Sequence, residues 1–213
     1  MRGHEEPLWK GFGVTPSLET LTIGGESQPW VDAGFRLQDG RLRAGTVELR
    51  LGAGQGILGW RLSTDHAEID GLPVAADDPG EAAAAEHADH PNGVTRIDHV
   101  VVFTPALERT TEALEAVGVE RRRVREVEMD GGPLRQGFFR LGEVILEVVE
   151  HANVGDGPAR FWGITFAVED LDATAELLGE RLGSVRDAVQ PGRRIATIRK
   201  TAGLGLPVAL ISA

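Results

Sequence analysis

Apolar side chains in this chain recur at every second position in many short runs, and at every third or fourth in a few longer ones. That predicts many strands and few helices. Leu18-Glu19-Thr20-Leu21-Thr22-Ile23 alternates and ends at Gly24-Gly25, a strand and a turn. A short helix is expected over 26–33, closed by Gly34. Strands follow at 35–37 and 42–51 around the Asp39-Gly40 turn, and at 57–62 after a glycine-rich loop. Residues 64–94 break the rhythm: Asp65, Glu68, Asp70, Asp77, Asp78, Glu81, Glu86 and Asp89 stand among alanines and Pro73, Pro79 and Pro91. That composition predicts an acidic linker with one short exposed helix at 81–87.

Past the linker comes Ile97-Asp98-His99-Val100-Val101-Val102-Phe103, an apolar strand carrying one histidine. Thr104 suits an N-cap and Pro105 the first helical position; Leu107, Thr111, Leu114 and Val117 recur at helical spacing, with Gly118 at the C-terminal cap. Strands are expected at 120–127, 134–141 and 144–149, the first two joined by Asp130-Gly131-Gly132-Pro133. The order is β-α-β-β-β. It repeats: a strand at 162–168, a helix capped by Asp170 and ended at Gly183, then strands at 185–189, 194–200 and 208–211. At an offset of 64 positions (171 − 107), Leu107/Leu171, Thr110/Thr174, Glu112/Glu176 and Leu114/Leu178 coincide, which indicates internal duplication.

The expected architecture is therefore α+β, with paired βαβββ modules at 95–152 and 160–213 forming one domain over 95–213. It is preceded by a degenerate βαβββ-like module over 1–63, whose first fourteen residues form an arm, and by the linker 64–94.

Charge and composition narrow the partners. A net charge of −11 disfavours nucleic acid and anionic membranes. No window approaches the roughly 18 unbroken apolar residues of a membrane span, and no signal-peptide pattern opens the chain. A cytoplasmic protein is expected. With no cysteine, a metal would need imidazole and carboxylate donors. No serine lies in a G-x-S-x-G context, and the loop Gly52-Ala53-Gly54-Gln55-Gly56 lacks the long helix of a dinucleotide site.

The two segments Ile97-Asp98-His99-Val100-Val101-Val102 and Val144-Ile145-Leu146-Glu147-Val148-Val149 resemble the first-strand histidine and fourth-strand carboxylate motifs of the vicinal oxygen chelate superfamily. Glyoxalase I, bleomycin-resistance proteins, extradiol dioxygenases and methylmalonyl-CoA epimerase belong to it. The resemblance implies a cup-shaped sheet with His99 and Glu147 at its reacting centre. It also implies a divalent ion (Zn, Fe, Mn or Ni) held by residues of both modules. The second module departs from the pattern: His99 maps to Gly163 and Glu147 to Ala209 or Leu210. His66, His151 or a carboxylate of the N-terminal copy would have to complete the set. A metal-free His–Glu pair is the other expectation.

Strand parity puts His99, Val101 and Phe103 on one face and Ile145, Glu147 and Val149 on another. Val101, Gln136, Phe138, Phe139, Trp162 and Thr165 are the candidate substrate pocket. Arg121, Arg122, Arg123 and Arg125 are candidates for an anionic ligand, or else a charge-protected edge strand. His87 and His90 stand three apart and are read as solvated. Two functions remain open. One is a glyoxalase-like lyase, isomerase or dioxygenase acting on a small molecule. The other is a non-catalytic binder of the antibiotic-sequestering kind. Monomer and homodimer are both compatible with either.

Overall fold

The alternating runs become strands of two sheets in the computed structural model, which describes residues 15–75, 89–129 and 132–213. The arm, the expected helix at 81–87, His87 and the Asp130-Gly131 corner lie outside the described residues.

The larger sheet has eight strands: β5 (Val94–Thr104), β6 (Arg121–Met129), β7 (Gly132–Leu141), β8 (Val144–His151), β9 (Arg160–Val168), β10 (Arg186–Asp187), β11 (Arg194–Thr197) and β12 (Val208–Ser212). Their order, β10-β11-β12-β9-β5-β8-β7-β6, is that of two βαβββ modules joined through their first strands. In each module the first strand runs parallel to the fourth, β5 with β8 and β9 with β12. The joint between β5 and β9 is antiparallel. The two crossover helices are α2 (Leu107–Ala116) and α3 (Leu171–Leu178). Each packs its Leu-bearing face on the same side of the sheet, and that leaves the other side as the floor of a cup.

The helix ends show where local chemistry governs. Asp170 accepts from the backbone N–H groups of Asp172 (2.9 Å) and Ala173 (3.1 Å), so it caps α3 as expected. α3 stops earlier than expected, at Leu178, where Gly179 takes φ 51°. Thr104 does not cap α2. Its Oγ1 accepts from Ala106, while Glu150 of β8 reaches across to take the Leu107 N–H at 2.6 Å.

The smaller sheet comprises β1 (Leu18–Gly24), β2 (Arg41–Ala44), β3 (Val47–Gly52) and β4 (Gly56–Leu62), in the order β2-β3-β1-β4, with α1 (Ser27–Asp32) after β1. The run 42–51, expected as one strand, folds into a hairpin at Gly45, whose φ is 62°. The strand expected at 35–37 reduces to a single bridge, Gln38 to Arg41. β1 is parallel to β3 and antiparallel to β4, so β4 is not the fourth strand of the module. It stands to β1 as β9 stands to β5. Moreover, Trp60 of β4 bridges in parallel to Val74, as β9 does to β12. The N-terminal unit is thus one module followed by the first strand of another, whose helix and middle strands are replaced by a short connection.

Residues 64–75, within the stretch expected as a linker, pack into the molecule. Ile69 and Leu72 are buried, and the Asp70 carboxylate binds the Arg109 guanidinium of α2 (2.8 Å). His90 is also buried, not solvated: its Nδ1 accepts from the Arg36 N–H (3.0 Å) and its Nε2 meets the Arg43 carbonyl (2.9 Å). The smaller sheet covers the helix side of the larger one. Phe166 of β9 meets Phe35 and Trp30 at 5.2 and 6.4 Å between ring centroids, and Phe161 meets Trp60 at 5.2 Å. A single apolar core runs between the sheets. The cup faces the opposite way.

Candidate active site

On a regular strand, successive residues point to opposite faces. The pairing of β5 with β9 slips between Ile97↔Phe166 and His99↔Thr165, a bulge with Asp98 as the extra residue. That slip lets two neighbours meet: Asp98 Oδ2 lies 3.0 Å from His99 Nδ1. On the other side of the imidazole, Nε2 stands 3.8 Å from Glu147 Oε2. β5 and β8 bring these groups together, since Val101, two residues on from His99, is in register with Glu147. From β7, Gln136 donates through Nε2 to Glu147 Oε1. Behind Asp98, Arg193 of the β10–β11 turn donates from Nη1 at 2.9 Å and ties its Nε to the Ser212 carbonyl at 2.7 Å. Arg96 adds a second guanidinium at 3.4 Å. The result is one row: Arg193, Asp98, His99, Glu147, Gln136.

Asp98 is buried, whereas the His99 and Glu147 side chains keep 13% and 17% exposure, enough to meet a small molecule. Burial pushes the Asp98 carboxyl up, but the hydrogen bonds and charges of His99 and Arg193 outweigh it and bring the pKa down to about 2. Asp98 is therefore ionised and accepts only. It accepts the proton of His99 Nδ1, and the other ring nitrogen, Nε2, faces Glu147.

The other expected pocket residues divide by face. Phe138 and Gln136 of β7 lie opposite Glu147 and Val149 on the cup side, and the Arg123 guanidinium sits 4.7 Å above the Phe138 ring. Thr165 and Val101 flank His99. Trp162 is 46% exposed and stacks on Phe103 at 5.2 Å. Phe139 does not belong to the pocket. It is 1% exposed on the helix side, because strand parity sends it opposite to Phe138. Arg121 likewise faces α2, where it binds Glu108 at 2.8 Å.

Whether these residues fit a metal ion turns on the second module. The register places Ala209 at the counterpart of Glu147, through Thr165↔Ala209, and Gly163 at the counterpart of His99. A Cβ at Gly163 would lie 2.6 Å from the Pro207 carbonyl oxygen, so the backbone already fills the space of a ligating side chain. His66 is occupied at Leu62 and Ala67, and the N-terminal sheet lies on the far side of the core. Among the described residues no three His, Asp or Glu groups converge as a metal-binding set. His99 and Glu147 alone fall short of the roughly three protein ligands a catalytic ion takes. The residues present do not fit such an ion.

No family model matches the sequence, and no curated protein matches it. Among solved structures, a mutant 4-hydroxymandelate synthase from Streptomyces coelicolor aligns over 92% of this chain and 92% of that one, with a TM-score of 0.64 at 14% identity. This is the vicinal oxygen chelate fold. Shorter alignments are to methylmalonyl-CoA epimerases. The Mycobacterium tuberculosis enzyme is 20% identical over 56% of this chain and 89% of its own, with a TM-score of 0.46. A Streptomyces coelicolor epimerase in complex with 2-nitronate-propionyl-CoA is 23% identical over 56% of this chain and 95% of its own, with a TM-score of 0.46. Of the ligand positions that the sequence resemblance implies for the two halves, those of the first carry His99 and Glu147, and those of the second carry Gly163 and Ala209.

Of the residues that sequence reasoning singled out, the fold brings His99, Glu147, Gln136 and Phe138 together on one face of the sheet. It missed Asp98 as a partner of His99, because alternation sends the two apart unless a bulge intervenes. It missed Arg193, which sits in a Pro-Gly turn with no local sign of its target.

Proposed function

We propose that the cup is the active site of an enzyme that moves a proton on a small organic substrate, an isomerase or lyase, without a metal ligated by both modules. The observation that carries this reading is the buried, ionised Asp98 against His99 Nδ1, with Glu147 facing Nε2. A buried carboxylate that fixes the imidazole tautomer and balances an imidazolium serves a general base, and a binder has no use for it. His99 Nε2 takes a proton from an acidic C–H or O–H of the substrate, and Asp98 balances the imidazolium that forms. Nε2 then hands that proton to the carboxylate of Glu147, which is oriented by Gln136 and returns it to the substrate at the same or a neighbouring atom. Phe138, Val101 and the Phe103–Trp162 pair supply apolar walls.

The test is solvent exchange. Small carbonyl compounds (2-oxo acids, 2-hydroxy ketones, acyl thioesters) are incubated with the protein and a strong chelator in deuterium oxide and followed by proton NMR. The expected result is deuterium incorporation in at least one class, lowered about 100-fold or more by His99→Asn and by Glu147→Gln. Exchange that stops with chelator and returns with a divalent ion would overturn the metal-independent reading. Binding without exchange in any class would favour the second reading, a non-catalytic small-molecule binder, which the unmatched second half of the cup supports.

A further inference from the structure

Beside the row, toward the C-terminal ends of β5 and β8, lies a pocket of about 290 Å³ lined by Phe103, Leu134, Val149, His151, Val154 and Arg160. Phe103 and Val149 are register partners, as are Leu134 and His151, so one continuous patch of the cup face forms the floor. Val149 is two residues beyond Glu147 on the same face, roughly 7 Å along the strand. The pocket therefore opens onto the acid–base row. Its apolar walls are extended by Trp162, stacked on Phe103 and left 46% exposed.

Two polar groups stand at the far end. Arg160 lines the pocket and engages the Val154 carbonyl at 3.0 Å with one guanidinium nitrogen. A guanidinium carries five N–H donors in a planar fork suited to a carboxylate. His151 Nδ1 accepts from the Asn153 N–H at 3.2 Å, which places the proton of the neutral ring on Nε2 and makes that nitrogen a donor.

We infer that this pocket binds the apolar body of an organic anion, with its anionic group against Arg160 and His151 and its opposite end directed at Glu147 and His99. A cavity of about 150 Å³ accepts a benzene ring. The volume here is therefore enough for one flat ring or branched chain with a short substituent. That the bound anion is the substrate rests on the acid–base reading above; the binding itself does not.

The probe is benzoate, compared with acetate, which lacks the ring, and benzyl alcohol, which lacks the charge. Fluorescence of Trp162 reports binding, with Trp162→Phe as the silent control. Benzoate is expected to bind at least about tenfold more tightly than either comparison, a difference of about 1.4 kcal/mol. Val149→Trp, which fills the pocket, removes the ring's advantage. Arg160→Gln, an exposed position, removes the advantage over benzyl alcohol even if the Trp variant fails to fold. Equal affinity for benzoate and acetate, or an anion preference unchanged in Arg160→Gln, overturns the inference. Benzoate binding by the native protein with no exchange in any compound class overturns only the acid–base reading. Exchange on small compounds without benzoate binding overturns only this one.

Discussion

Asp98 is the residue on which the site's electrostatics turn. Its carboxyl is depressed from 3.8 to about 2 in the folded protein. A depressed carboxyl contributes stability above its unfolded pKa, and that contribution is lost as pH falls through the folded value. Asp98 thus stabilises the fold above about pH 4 and ceases to do so near pH 2. The difference in unfolding free energy between the native protein and Asp98→Asn is expected to shrink by about 2 kcal/mol between pH 5 and pH 2. Denaturant titrations at the two pH values measure it. A constant difference would mean that Asp98 is not held by His99 and Arg193. Histidine and carboxylate were both visible in the chain as polar intrusions into apolar strands. Their partners were not, because a one-residue bulge and a turn from another module are properties of pairing, not of composition.

Among the elements, β9 decides what the cup can hold. Gly163 occupies the position that mirrors His99, and its missing side chain is required by the approach of Pro207. Gly163→Ala is expected to cost about 1–3 kcal/mol through displacement of the strand pair, read from denaturant midpoints. Gly163→His is expected to destabilise further and to bind no zinc, whether or not it folds well enough to purify. A stable Gly163→His variant that takes up one zinc per chain would contradict the account of a closed second half. The βαβββ order and the two helices were legible from period and punctuation, because turns at Gly and Pro are chemically local. The N-terminal unit was not: alternation marks β4 as a strand but cannot say that it pairs antiparallel to β1 and begins a second, truncated module. Nor could acidic composition reveal that Ile69 and Leu72 enter the core.

For the whole molecule, the smaller sheet backs the larger through Trp30, Phe35, Trp60, Phe161 and Phe166, and their apolar side chains belong to one continuous core. The protein is expected to unfold in a single cooperative transition, with fluorescence and far-UV circular dichroism coincident. Phe166→Ala at the joint should lower its stability by about 3–5 kcal/mol while keeping one transition. Two separated transitions would show that the N-terminal unit folds on its own and merely rests against the back of the cup. Among the described residues, the smaller sheet lies on the side of the large sheet away from the cup.

The most direct test of the account is nitrogen-15 NMR of the His99 ring near neutral pH, assigned by comparison with His99→Gln. Asp98 is expected to hold the neutral ring as the Nδ1–H tautomer, with Nε2 unprotonated and facing Glu147, and Asp98→Asn to abolish that preference. A neutral His99 protonated on Nε2, or one indifferent to the loss of Asp98, would contradict it.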